Sequence, residues 1–138
     1  MKRVIPARRR TAAHAVYVVP EDAEQAHLIR WARLAQPTYP ELARLFHIPN
    51  GGHRNKIVAA KLVGQGVRPG VPDLCLPVPR ETFHGLWIEM KSMTGRTSPE
   101  QRDWLAFLAA QGYATAVCKG WDAARETIIS YLEGRFIQ

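Results

Sequence analysis

The segment from Arg68 to Lys91, RPGVPDLCLPVPRETFHGLWIEMK, constrains the fold more than any other part of the chain. It reads as two short apolar strands joined by a turn, and strand side chains alternate between opposite faces. Leu86, Ile88 and Met90 therefore share one face, while Trp87, Glu89 and Lys91 share the other. On the earlier strand Leu74, Leu76 and Val78 form the apolar row, and Asp73 and Cys75 point the opposite way. If the apolar rows meet in a common core, Asp73, Glu89 and Lys91 gather on the far side. Two carboxylates and a lysine are poor core material, because burying a charge is costly without a partner. They are well suited to holding a divalent cation beside a reactive water.

The rest of the chain supplies elements around this hairpin. Residues 15–19, AVYVV, read as a short edge strand. A helix follows from Glu21 to Gln36 and is stopped by Pro37. Leu28, Trp31 and Ala35 mark its apolar stripe, on which Glu24 also falls. An inward carboxylate at Glu24 has two readings: a first-turn acid stabilised by the helix dipole, or a group aimed at a site. A helical turn over 40–45, a strand over 45–49 and a turn at Asn50-Gly51-Gly52 come next. Residues 54–65 form a helix made basic by Arg54, Lys56 and Lys61; such a charged face is commonly just solvated. Ser98-Pro99-Glu100-Gln101 carries the signature of a capping box with proline at the first helical position. Gln101 shares a stripe with Leu105 and Leu108, so it either caps that helix or faces the strands. A strand over 113–118 and a helix over 121–132 complete the order αβαββαβα.

At 138 residues the chain makes one domain with room for a hydrophobic core. Net charge is +7, but Lys2, Arg3, Arg8, Arg9 and Arg10 fall in the first ten residues with no acid among them. The remaining 14 basic residues face 12 acidic ones, so the basic character belongs mostly to an N-terminal arm, residues 1–13. Such an arm is either a solvated tail or a contact for a polyanion such as nucleic acid. Cys75 and Cys118 sit within strands without metal-ligand spacing, as small buried residues in a reducing compartment do. The five histidines form no zinc-type pair. Residues 11–19 are too short to span a membrane. The chain reads as soluble and cytoplasmic, in the host cytoplasm if viral.

The motifs GVRPGVPDLCL, WIEMKSMTGRTSPEQRDWL and QGYATAV, with HIPNGG upstream and the inward Glu24, resemble the VRR-NUC (virus-type replication–repair) nucleases of the PD-(D/E)xK, restriction-endonuclease-like superfamily. The resemblance runs from Glu24 to Leu132 and places a single domain over 14–138. It implies an αβα sandwich around a small mixed sheet, cleavage of DNA, and dimerisation in small stand-alone forms. It also implies Mg²⁺ or Mn²⁺ bound by Asp73 and Glu89, with the backbone carbonyl of Met90 completing the site. Glu24 would reach the metal directly or through water, Lys91 would orient the attacking water, and Gln101 would assist from the neighbouring helix. Arg8, Arg9, Arg10, Asn50, Arg54, Lys56, Lys61 and Arg68 are the candidate DNA contacts, and Trp87, Trp104, Trp121 and Phe136 are either candidates for a homodimer interface or simply core.

These residues define the expected activity: metal-dependent hydrolysis of phosphodiester bonds in DNA, selective for branched structures such as four-way junctions or flaps, in replication, repair or recombination. No small-molecule cofactor or membrane partner is expected. Three alternatives stand beside it. One is a binding module of the same fold without cleavage, against which the intact acidic cluster argues. The second is a restriction-type nuclease acting on plain duplex. The third is a hydrolase of nucleotides or small phosphoesters, disfavoured by the basic arm and by the lack of a phosphate-cradling glycine loop.

Overall fold

The alternation along the central segment is realised as two paired strands. In the computed structural model, which describes residues 15–50 and 55–138, strands β2 (Leu74–Leu76) and β3 (Leu86–Lys91) are antiparallel, with Leu74 opposite Ile88 and Leu76 opposite Leu86. A short β1 (Phe46–His47) lies antiparallel to β2, and β4 (Ala114–Lys119) runs parallel to β3. Among the described residues the sheet is four-stranded, in the order β1-β2-β3-β4. A parallel pair needs a crossover. Helix α3 (Pro99–Ala110) provides it, opened by Ser98 with both hydrogen bonds of the capping box in place.

Two layers of helix cover the sheet. Leu74, Leu76, Leu86, Ile88 and Met90 are fully buried against Leu28 of α1 (Glu21–Leu34) and Ala124, Ile128 and Tyr131 of α4 (Trp121–Leu132). Both apolar rows meet in this core, as their spacing requires. Cys75 and Leu108 are buried but outside it, on the face where α3 packs. The architecture is the expected αβα sandwich around a mixed sheet, with the elements in the expected order. One glycine is demanded by this packing. Gly70 has φ +87°, and a Cβ there would lie 2.7 Å from the Glu100 backbone, so the loop before Asp73 can press on the first turn of α3.

Three local expectations change. The AVYVV segment forms no strand: residues 15–20 lack regular structure, and Val16 and Tyr17 are 87% and 81% exposed. β-branched residues favour a strand only where a neighbouring strand or a buried face receives them, and this stretch has neither. Helix α1 ends at Leu34 rather than Gln36, three residues before the Pro37 that was expected to stop it. The basic helix is shorter too, α2 (Lys56–Gly64), capped by the Asn55 side chain accepting from the Val58 N–H at 2.8 Å. None of its residues is buried.

Candidate active site

On the face opposite the main core, the register that places Leu74 opposite Ile88 brings Asp73 alongside Glu89, one step beyond β2. Asp73 is fixed there by a hydrogen bond from the Met90 N–H to its Oδ2, 2.7 Å long. Its own carbonyl accepts from the Ile48 N–H at 2.8 Å and lies 2.7 Å from His47 Nδ1, so the segment after β1 clamps the backbone of the aspartate. Asn50 continues that clamp, donating from Nδ2 to the Val71 carbonyl at 3.1 Å.

Glu89 is 1% exposed. Its Oε1 accepts from Gln101 Nε2 at 2.7 Å and lies 3.0 Å from Lys91 Nζ. Both readings of Gln101 hold together. Its Oε1 accepts from the Ser98 N–H at 2.8 Å as the helix cap, which leaves the NH₂ end to face Glu89. Glu89 Oε2 is buried with no hydrogen-bond partner. A buried carboxylate oxygen left without a donor is costly, and a cation is the group that would satisfy it.

The third carboxylate is Glu21, at the first position of α1. One oxygen each from Glu21, Asp73 and Glu89 lie within 4.8 Å of one another. Glu21 Oε1 is also 3.5 Å from Lys91 Nζ. Glu24, the acid expected here, is not in the group. It is 6% exposed, and its Oε2 accepts from the Trp121 N–H at 2.8 Å, at the start of α4. Gly120, the residue before that helix, offers no side-chain cap. Glu24 therefore supplies from α1 the acceptor and negative charge that the α4 N-terminus lacks. The helical stripe contained the signal for Glu21, which lies three residues before Glu24 and seven before Leu28.

Crowding the acids together shifts their protonation. Burial, then the charge of Asp73, raise the Glu89 pKa to about 7 against the opposing pull of Lys91. Burial also raises Asp73, against the hydrogen bond from Met90. For Lys91, burial pulls downward, but the hydrogen bond and charge of Glu89 outweigh it and hold the ammonium above its usual value. The donor set is oxygen only, with no imidazole or thiolate in the group, which fits a hard divalent cation.

The VRR-NUC domain model matches residues 19–122, about three-quarters of the chain and the whole of this site. The chain belongs to the VRR-NUC family. A solved structure named "VRR_NUC domain protein" superposes with a TM-score of 0.69 at 28% identity, covering 85% of this chain and 91% of that one. No curated protein matches the sequence. Membership makes this a nuclease-type domain with DNA as the implied substrate, in a family typically dependent on a divalent metal, and the acidic triad is present.

The expected DNA contacts are scattered. Arg8, Arg9, Arg10 and Arg54 lie outside the described residues. Lys56 and Lys61 are exposed on α2. Asn50 and Arg68 line a groove of about 360 Å³ together with Trp104 and with Val71, which lies two residues before Asp73 in the sequence. The aromatic residues expected at an interface have partners within the chain. Trp87 meets Tyr113 and Trp104 meets Phe107, while Trp121 lies beside His27 and under Arg125. Phe136 packs on Phe83 and Tyr131. Among the described residues, no helix is long and apolar enough to cross a membrane.

Proposed function

We propose that the chain is a Mg²⁺- or Mn²⁺-dependent deoxyribonuclease that hydrolyses phosphodiester bonds of branched DNA in replication, repair or recombination. The observation carrying this reading is the convergence of Glu21, Asp73 and Glu89 beside Lys91, with Glu89 Oε2 lacking a partner. Asp73 and Glu89 would hold the metal, with Glu21 in the place first given to Glu24 and the Met90 carbonyl as a further oxygen. When bound, the metal supplies polarisation of the phosphate and a lowered pKa for a coordinated water.

The protein's own groups do the positioning. Met90 N–H and Gln101 Nε2 each hold one carboxylate by a single oxygen, leaving the other oxygen of each for a ligand. Lys91, anchored between Glu89 and Glu21, stays protonated and offsets negative charge on the attacking side of the phosphate. A proton and a metal compete for Glu89, because its pKa near 7 leaves it partly protonated at neutral pH.

The same reading includes a homodimer whose two sites cut opposite strands, since one chain carries one acidic cluster and a twofold dimer relates its sites antiparallel. Helix α2 supports it: Ile57, Val58 and Val63 are 82%, 42% and 62% exposed on a helix with no buried face. Labelled four-way junction, flap and plain duplex DNA, each incubated with Mg²⁺, Mn²⁺ or EDTA, test the reading. Cleavage of branched DNA with either metal and none in EDTA is expected, abolished by Asp73→Asn or Glu89→Gln with DNA binding retained. Full activity in either variant overturns the assignment.

A further inference from the structure

Beside the carboxylate cluster, on the same face of the sheet, lies a second groove of about 440 Å³ lined by Gly95, Arg96, Thr97, Arg102, Val117 and Lys119. Three of those six side chains are cationic and none is acidic. Arg96, Arg102 and Lys119 take part in none of the ion pairs among the described residues. An unpaired lysine at a sheet edge is commonly a guard against strand addition, and β4 is an edge strand. That explains Lys119 by itself. It does not explain two arginines brought to the same groove from the β3–α3 loop and from α3.

Register ties the groove to the cluster. In the parallel pairing of β3 with β4, Val117 lies opposite Glu89 and Lys119 opposite Lys91. Opposed residues share a face, and neighbouring strands are about 4.8 Å apart. The groove thus begins one strand away from the proposed metal ligands. Its other wall touches the site as well: the Cβ position of Gly95 is 3.3 Å from Lys91 Cδ, so the loop carrying Arg96 folds against the lysine stem. Arg102 is held across the loop by its Nη1, which donates to the Thr97 carbonyl at 2.6 Å and to Thr97 Oγ1 at 3.5 Å, leaving the hydrogens of Nη2 and Nε available.

We propose that Arg96, Arg102 and Lys119 form a binding site for the phosphodiester backbone of the DNA strand being cut, holding the phosphates next to the scissile one. The inference rests on the nuclease reading above and names the path of the strand through it. The three groups are cations suited to phosphate, and contacts to phosphate carry no sequence information, so a strand held here by its backbone is bound without regard to its bases. Val117, 45% exposed between them, gives the floor an apolar patch against which a sugar can lie.

The test is DNA affinity against salt in EDTA, where no cleavage occurs. Each phosphate contact contributes roughly 0.9 to the slope of log K against log salt on duplex DNA. The double variant Arg96→Gln/Lys119→Gln removes two exposed cations and should flatten the slope by about 1.8. The matched control Arg30→Gln/Arg33→Gln removes two exposed cations from α1 and should leave the slope within about 0.5 of the wild type. With Mg²⁺ or Mn²⁺, the groove variant should raise KM at least about tenfold while kcat at saturating DNA stays within about threefold. An unchanged slope in the groove variant, or equal flattening by both doubles, overturns the proposal. A wild type that shows the expected slopes but cuts nothing with either metal leaves the groove standing and removes the nuclease reading.

Discussion

Substituting Glu89 by glutamine isolates what the buried charge does to the fold. In the folded protein its pKa lies at about 7, against an ordinary value of 4.5. Between those values the folded state binds more protons than the unfolded one, so stability falls as pH rises through the window. At about 1.4 kcal/mol per pH unit, the charge costs roughly 3 kcal/mol once pH exceeds both values. The Gln101 contact can persist in Glu89→Gln, because the new side chain keeps a carbonyl oxygen to accept from Nε2. Other titrating groups are common to both proteins, so the difference between them reports Glu89.

Urea unfolding of both proteins in EDTA at pH 5 and pH 8 measures that difference. The wild type should lose about 2–3 kcal/mol relative to Glu89→Gln between the two pH values. Adding Mg²⁺ or Mn²⁺ should return a similar amount to the wild type at pH 8 and little at pH 5, where the proton holds the site. Metal at one hundred times its Kd contributes about 2.7 kcal/mol, the size needed. Stability differences that run parallel from pH 5 to pH 8, within about 0.5 kcal/mol, would refute the claim that Glu89 is held protonated by burial and its acidic neighbours.

Glu21→Gln should lower turnover at least tenfold and weaken metal binding, whereas Glu24→Ala should cost about 0.5–2 kcal/mol of stability, as loss of a helix cap does; turnover at saturating metal, set against urea midpoints, separates the two acids. Ile57→Asp/Val63→Asp on α2 should give a monomer by sedimentation, with single-strand nicking retained, and a dimer that survives the double change would place the interface elsewhere.

Asp73, Glu89, Lys91 and Gln101 were legible because their placement follows from local rules. Period two decides which side of a strand a residue takes, and a capping box fixes the first turn of α3 to within one residue. The same rules put Leu86, Ile88 and Met90 in the core. Glu24 was legible only to a direction. Its stripe pointed inward, but helical spacing cannot say how far along the stripe the sheet's polar cluster lies, and about one turn of α1 separates Glu21, in the cluster, from Glu24, at the α4 N-terminus. The groove of Arg96, Arg102 and Lys119 was not legible at all. Its cations come from a loop, a helix and a strand that meet only through the β3–β4 register, and the basic arm dominated the charge count. The failed AVYVV strand has the reverse cause: local preference was real, but pairing partners are a property of the whole sheet.

The cluster is also where the fold departs from its own rules. Elsewhere the fully buried residues are apolar or, like Glu24, matched to a backbone donor, and the other unpartnered buried atoms, Asn50 Oδ1, Trp87 Nε1 and Arg125 Nε, belong to half-buried side chains. At Glu89 the chain buries a carboxylate, sets two more beside it, and leaves one oxygen without a donor. Lys91 does not cancel this, because one ammonium faces three acids. Stability alone would favour glutamine or leucine at position 89, as replacing buried charges by well-packed neutral groups often shows. Local conflict of this kind, in a chain otherwise consistent from capping to core, marks a site kept for its ligand. What the site lacks is positive charge with oxygen coordination, and a divalent metal ion together with the phosphate it neutralises would supply that.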